Sequence, residues 1–166
     1  MNEPETEEKT EQRTEELSHY DSAGSPHMVD VSAKPQTRRT ASAHAFVSIR
    51  AEVLEQLPQN PKGDPLEIAR VAGIMAAKRT AGLIPLCHPL VLTHVDVAAS
   101  VEAGGVRITS DVVTTASTGV EMEALTAVTI AALTVYDMLK ALDKSIEIRE
   151  IYLVEKTGGK SGDFKR

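Results

Sequence analysis

From Val91 to Thr115 apolar and polar residues alternate (VLTHVDVAASVEAGGVRITSDVVTT), and Gly104-Gly105 divides the run in two. That pattern predicts a β-hairpin. Upstream, Asp64, Pro65 and Glu67 stand in the order of an N-cap, a first-turn proline and a capping-box acid. The helix they open should run through LEIARVAGIMAAKRTAGLI and end before Pro85, with Ile68, Val71, Ala72 and Met75 on one apolar face. A second helix is predicted from Thr118 to about Leu142, almost uniformly apolar and ~36 Å long. A helix without a polar face must be covered all round. A domain this small offers a sheet for one side, so another subunit is expected on the other.

Shorter signals complete the chain. Ala45–Ile49 reads as a strand and AEVLEQL as a short helix ending before Pro58, with Asn60-Pro61-Lys62-Gly63 a loop. Ile146–Val154 alternates and should close the sheet. Residues 27–40 look like an extended arm around Pro35. Residues 1–25, glutamate-rich and aperiodic, are expected to be a disordered acidic extension, residues 26–160 the folded domain and residues 161–166 a flexible C-terminal tail. The order strand, helices, hairpin, helix, strand predicts an α+β fold: a ferredoxin-like antiparallel sheet with helices on one face, oligomeric.

Composition narrows the function. The chain has 166 residues, 42% hydrophobic but only 3% aromatic and without tryptophan. Its core must therefore be built from alanine, valine, leucine and isoleucine. No apolar run looks long enough to span a bilayer and the N-terminus lacks a signal-peptide pattern, so no membrane is expected. The lone cysteine, Cys87, fits a reducing cytoplasm. Net charge is −6, and seven glutamates within residues 1–16, against Lys9 and Arg13, account for most of it. With no basic stripe, nucleic acid is a poor partner. An anionic small molecule remains possible where lysines converge.

Several groups of residues could carry chemistry. Asp137 and Lys140 share a face of the apolar second helix, near the end where its dipole disfavours a carboxylate. Such a breach of local rules reads as functional or as an interface salt bridge. Cys87-His88 sits between Pro85 and Pro89; with no second cysteine and no paired histidines no metal site is expected, and His88 is read as a hydrogen-bonding or proton-transfer residue or as a tie for its loop. Thr118 and Glu121 match a capping box, which leaves Glu123 free to accept hydrogen bonds from a guanine-like base. Lys62, Lys78, Lys140, Lys156 and Lys160 end or flank these elements and could cradle a triphosphate. Gly159-Lys160-Ser161 echoes the end of a P-loop, but Val154 stands where the first glycine is required.

Taken together, MVDVSAKP, KGD, AGIMAAKRT, LIPLCHPL, TGVEMEALTAV, ALTVYDMLK and EKTGGKSGDF resemble, in this order and spacing, the cyclic pyranopterin monophosphate synthase family of molybdenum cofactor biosynthesis. The resemblance covers about His27 to Phe164. It implies a cytoplasmic lyase that converts 3′,8-cyclo-7,8-dihydroguanosine 5′-triphosphate to cyclic pyranopterin monophosphate and pyrophosphate, without a cofactor. It implies a ferredoxin-like fold and a homohexamer, a trimer of dimers, with sites at subunit interfaces. Carried over by motif, Asp137, Lys140 and Lys62 are catalytic; Leu86, Cys87, His88, Met122, Glu123, Glu121, Lys78, Lys156 and Arg39 bind substrate. Leu139 replaces a common cysteine, Pro65 a usual valine and Ser117 a frequent basic residue. A non-catalytic nucleotide sensor is the alternative reading.

Overall fold

The computed structural model describes Tyr20 and residues 23–166, so the extension expected over residues 1–25 lies almost wholly outside the described residues. The elements are β1 (Thr37–Ser48), α1 (Ala51–Leu54), a 3-10 turn (Leu57–Gln59), α2 (Pro65–Ala77), α3 (Thr80–Leu83), β2 (Leu92–Glu102), β3 (Gly105–Ala116), α4 (Glu121–Leu139), β4 (Glu147–Thr157) and β5 (Phe164–Lys165). All five strands join one antiparallel sheet in the order β2-β3-β1-β4-β5. The class is α+β, as expected. The hairpin turns at Ala103-Gly104, where Gly104 takes φ +82°, a value that favours glycine.

β1 begins eight residues before the Ala45–Ile49 segment expected for it, using residues assigned to the arm. Ala41, Ala43, Ala45 and Val47 are buried toward the helices, and Thr40, Ser42, His44 and Phe46 occupy the other face. Alanine is a weak strand signal, so this alternation does not stand out in the sequence. Within residues 161–166, expected as a flexible tail, Phe164–Lys165 pairs with β4 as β5.

α4 lies across β1, β3 and β4, and α2 covers its remaining side while also touching β2. Within the chain the second cover for the apolar helix is largely α2, and Leu133 of α4 stays exposed. By length and hydropathy α4 could cross a bilayer, yet more than half of it is buried; it is the core helix of the domain. α2 and α4 meet through small side chains. A Cβ on Gly73 would come within 2.9 Å of the Ala127 carbonyl oxygen and 3.2 Å of the Ala131 Cβ. Such close approach selects the smallest face of α2, so Ala69, Gly73, Ala76 and Ala77 point inward. The bulkier face expected to be buried is the outer one: Ile68, Val71 and Met75 are 39%, 48% and 46% exposed.

Two caps also differ from expectation. Asp64 accepts from the Leu66 and Glu67 amides as predicted, but Glu67 pairs with Arg70 instead of closing a capping box. The continuous helix expected up to Pro85 breaks after Ala77, where the Thr80 hydroxyl donates to the Ala77 carbonyl at 3.0 Å. α4 starts at Glu121 behind Val120, without a side-chain cap, so the Thr118–Glu121 capping box does not form.

Candidate functional site

A cavity of about 280 Å³ opens where the loop after α3 meets the start of α4. Leu86, Cys87, His88, Glu121, Met122 and Glu123 all line it, so six of the residues expected to bind substrate come together. Val29, Val31 and Lys34 close its near side. The arm that carries them is tied down twice: His88 Nε2 donates to the Val29 carbonyl at 2.8 Å, and the Ser117 hydroxyl donates to the Lys34 carbonyl at 3.1 Å. His88 is therefore both a wall of the cavity and the tie for its loop.

Glu123 is the buried carboxylate of this region, 4% exposed. Burial pushes its pKa up to about 6, and the neighbouring Glu121 charge adds to the rise. Burial, helped by repulsion from Glu123, also raises the Cys87 thiol. An upward shift favours the protonated thiol and works against a nucleophilic role for Cys87.

A second hollow of about 190 Å³ adjoins the first and shares Lys34, Thr118, Gly119 and Glu121 with it. Four cations line it: Lys34, Arg39, Lys156 and Lys160. Each is held by a different element. Lys156 lies on β4 and pairs with Glu121 at 2.9 Å, which explains why Glu121 turns away from the helix cap. Arg39 on β1 donates through Nε to the Ala116 carbonyl at 3.0 Å and through Nη2 to that of Ser117 at 3.2 Å. Gly158 and Gly159 cross directly over it; a Cβ on Gly159 would meet Arg39 Nη1 at 2.0 Å. A Cβ on Gly158 would meet the Arg38 carbonyl oxygen at 2.4 Å, a backbone contact that cannot yield, so glycine is required at that position.

Asp137, Lys140 and Lys62 are elsewhere. The Lys140 ammonium donates to the Asp137 carboxylate at 2.7 Å, and both side chains are more than half exposed. The expected buried acid is thus a surface ion pair in this chain. Its hydrogen bond to Lys140, with Lys62 adding a smaller attraction, lowers the Asp137 pKa. Fourteen residues of α4 separate Asp137 from Glu123, which is ~21 Å along the axis. Lys78, on the C-cap of α2, is exposed and lines neither hollow.

Sequence reasoning missed Lys34 as a site residue although it stands in the MVDVSAKP block. Its position depends on the arm folding back over the His88 loop, which no local pattern encodes. Lys160, read as one of the lysines that could cradle a triphosphate, falls in the basic hollow.

Comparison with known proteins agrees in sequence. The profile of the MoaC family matches residues 28–159. A protein of Deinococcus radiodurans named cyclic pyranopterin monophosphate synthase is 55% identical over 152 residues, 90% of each chain. Proteins of the same name from Corynebacterium efficiens and Thermomicrobium roseum are 57% and 56% identical; the matches span 90% and 91% of this chain and 97% and 93% of theirs.

Proposed function

The chain belongs to the MoaC family, and from that membership and the geometry of its two hollows we propose a lyase that converts 3′,8-cyclo-7,8-dihydroguanosine 5′-triphosphate to cyclic pyranopterin monophosphate and pyrophosphate, in molybdenum cofactor biosynthesis. One observation carries the reading: a cavity with a buried carboxylate opens directly onto a hollow lined by four cations. Ionised Glu123 accepts hydrogen bonds from the N–H edge of a guanine-like ring. Lys34, Arg39, Lys156 and Lys160 hold the triphosphate next to it. A ribose hydroxyl attacks the α-phosphorus, the bond to the bridging oxygen breaks, and the cations neutralise the charge that develops on departing pyrophosphate. Asp137 and Lys140 move protons while the purine-derived ring opens and the pyranopterin closes.

That division of labour needs a second copy of the chain. Asp137 is ~21 Å from Glu123 on one rigid helix, beyond the reach of one substrate ring. The exposed side chains of Ile68, Val71 and Met75 supply apolar surface for association. A ferredoxin-like subunit, consistent with the order β2-β3-β1-β4, would assemble into dimers and then a hexamer in the cytoplasm. Each site would combine Glu123 and the basic hollow of one protomer with Asp137, Lys140 and Lys62 of its partner.

The direct test is incubation with the cyclised GTP derivative, followed by detection of the pterin product and pyrophosphate. Tight binding without pyrophosphate release would instead identify a sensor. Mixing the Asp137→Ala and Glu123→Gln variants, each impaired alone, tests the shared site. If complementary patches meet across a two-fold axis, random re-association restores about a quarter of wild-type activity; no recovery places both groups in one subunit's site.

A further inference from the structure

The basic hollow is floored by a glycine-rich hairpin whose far end is held on the opposite face of the sheet. Between β4 and β5 the chain passes through Gly158, Gly159 and Gly162, with φ of +85°, +90° and +74°. Three left-handed glycines give this loop little conformational preference of its own. β5 pairs with β4 at only two positions, Glu155↔Lys165 and Lys156↔Phe164. A ladder of that length contributes little order. Yet Lys160 and Ser161, midway along the loop, must stay beside Arg39 and Lys156 for the hollow to exist.

The Gly158 amide donates to Asp163 Oδ1 at 2.9 Å and closes the loop on itself, and Arg166 ties the closed loop to the sheet. Its guanidinium lies 4.5 Å from the centroid of the Tyr152 ring, within the range of a cation–π contact. Its amide donates to the Val154 carbonyl at 2.9 Å and its Nε to that of Leu153 at 3.4 Å. On the other side of Tyr152, the His44 imidazole stacks at 4.8 Å with an interplanar angle of 16°. Because β1 and β5 flank β4 on opposite sides, the tyrosine ring stands between imidazole and guanidinium. His44 is itself fixed, donating from Nδ1 to the Glu150 carbonyl at 3.1 Å. Glu150 adopts φ +56°, rare for a residue with a side chain, where the β1–β4 register shifts. That irregularity brings the Glu150 carbonyl to the ring.

We infer that Arg166, held by the Tyr152–His44 stack, is a positioning residue for polyphosphate: it fixes the β4–β5 hairpin so that Lys160 and Ser161 stay in the cationic hollow. It touches no substrate. Its effect passes through the loop, and it bears on the affinity of the hollow for phosphate groups rather than on bond-making. The inference rests on the reading of that hollow as the triphosphate site.

Inorganic tripolyphosphate serves as the probe, alongside turnover of the cyclised GTP derivative. Arg166→Ala and Tyr152→Leu should each weaken tripolyphosphate binding and raise KM about two- to five-fold, the worth of an exposed cation–π contact, with kcat unchanged. Tyr152→Phe, which keeps the ring, should behave as wild type, and Arg166→Lys, which keeps the charge but loses the Nε bond to Leu153, should fall between wild type and Arg166→Ala. Trypsin should cut after Lys160 faster in the first two variants than in the second two. Unchanged tripolyphosphate affinity and proteolysis in Arg166→Ala would overturn the inference, as would a fall in kcat at constant KM. Wild-type protein that fails to bind tripolyphosphate sinks the proposed function, and this inference with it. Wild-type binding with unchanged variants sinks the inference alone.

Discussion

The two ends of α4 carry acidic residues in opposite circumstances. At the start, Glu123 is enclosed by its own chain and its pKa is raised to about 6. Near the end, Asp137 sits in the open beside Lys140 and its pKa is lowered. Burial costs the first its ease of ionisation, whereas a cation within hydrogen-bond distance favours charge on the second. The difference teaches that one helix holds two carboxylates in unlike states: Glu123 is shut in by its own chain, and Asp137 is paired with a cation in the open.

Changes at these two ends should therefore have different consequences. Asp137→Ala should have the largest effect on chemistry, lowering kcat by about 100-fold or more, the range for a general acid or base. Because the side chain is exposed, folding and assembly should survive, and sedimentation should show the same oligomer. Wild-type-like turnover would remove Asp137 from the mechanism.

Glu123→Gln should act on both activity and stability, in opposite directions. Loss of a charged acceptor should lower kcat/KM about 10-fold or more, and the acid limb near pH 6 in the wild-type profile should vanish. Its folded pKa lies above the unfolded value, so its contribution to stability is fully present below about pH 4.5 and is lost as pH rises through about 6. At pH 7 the wild type holds a costly buried charge. The glutamine variant should then be more stable by about 2 kcal/mol, as read from denaturant midpoints. Equal stability of the two proteins at pH 7 would contradict the burial argument.

The smallest effect is expected just past the C-terminal end. Asp143 accepts from Arg50 at 2.8 Å and from the Ser145 amide and hydroxyl at 2.9 and 2.7 Å, which lowers its pKa to about 2. A depressed carboxyl stabilises the fold above its unfolded pKa, near 4, and ceases to do so as pH falls toward 2. Asp143→Asn should lower the melting temperature at pH 7, and the gap should close on acidification. Activity per folded molecule should stay unchanged, since Asp143 lines neither hollow.

The legible parts of this chain are those encoded locally. The Asp64 cap, the alternation of the hairpin and the apolar length of α4 are short-range patterns, and each element formed near its expected place. Six cavity residues come together because they lie on two short motifs, Leu86–His88 and Glu121–Glu123. What escaped depends on packing between distant elements. Which face of α2 is buried was decided by how closely Gly73 lets α4 approach, not by hydrophobic spacing. β1 hid behind alanines, and Glu121 was drawn from the helix cap by Lys156, 35 positions downstream. The burial of Asp137 was misjudged because an apolar helix can still place one turn at the rim of its domain.

The Gly73 crossing has a consequence for motion. At that crossing Gly73 faces the Ala127 carbonyl and the Ala131 Cβ, so the helices meet there without side chains whose rotamers could reshuffle. The ~21 Å between Glu123 and Asp137 is set by α4 alone, and the close seat on α2 keeps that helix in place against the sheet. The arm tied by His88 and the glycine hairpin beside Arg39 are mounted on that scaffold, outside the paired helices.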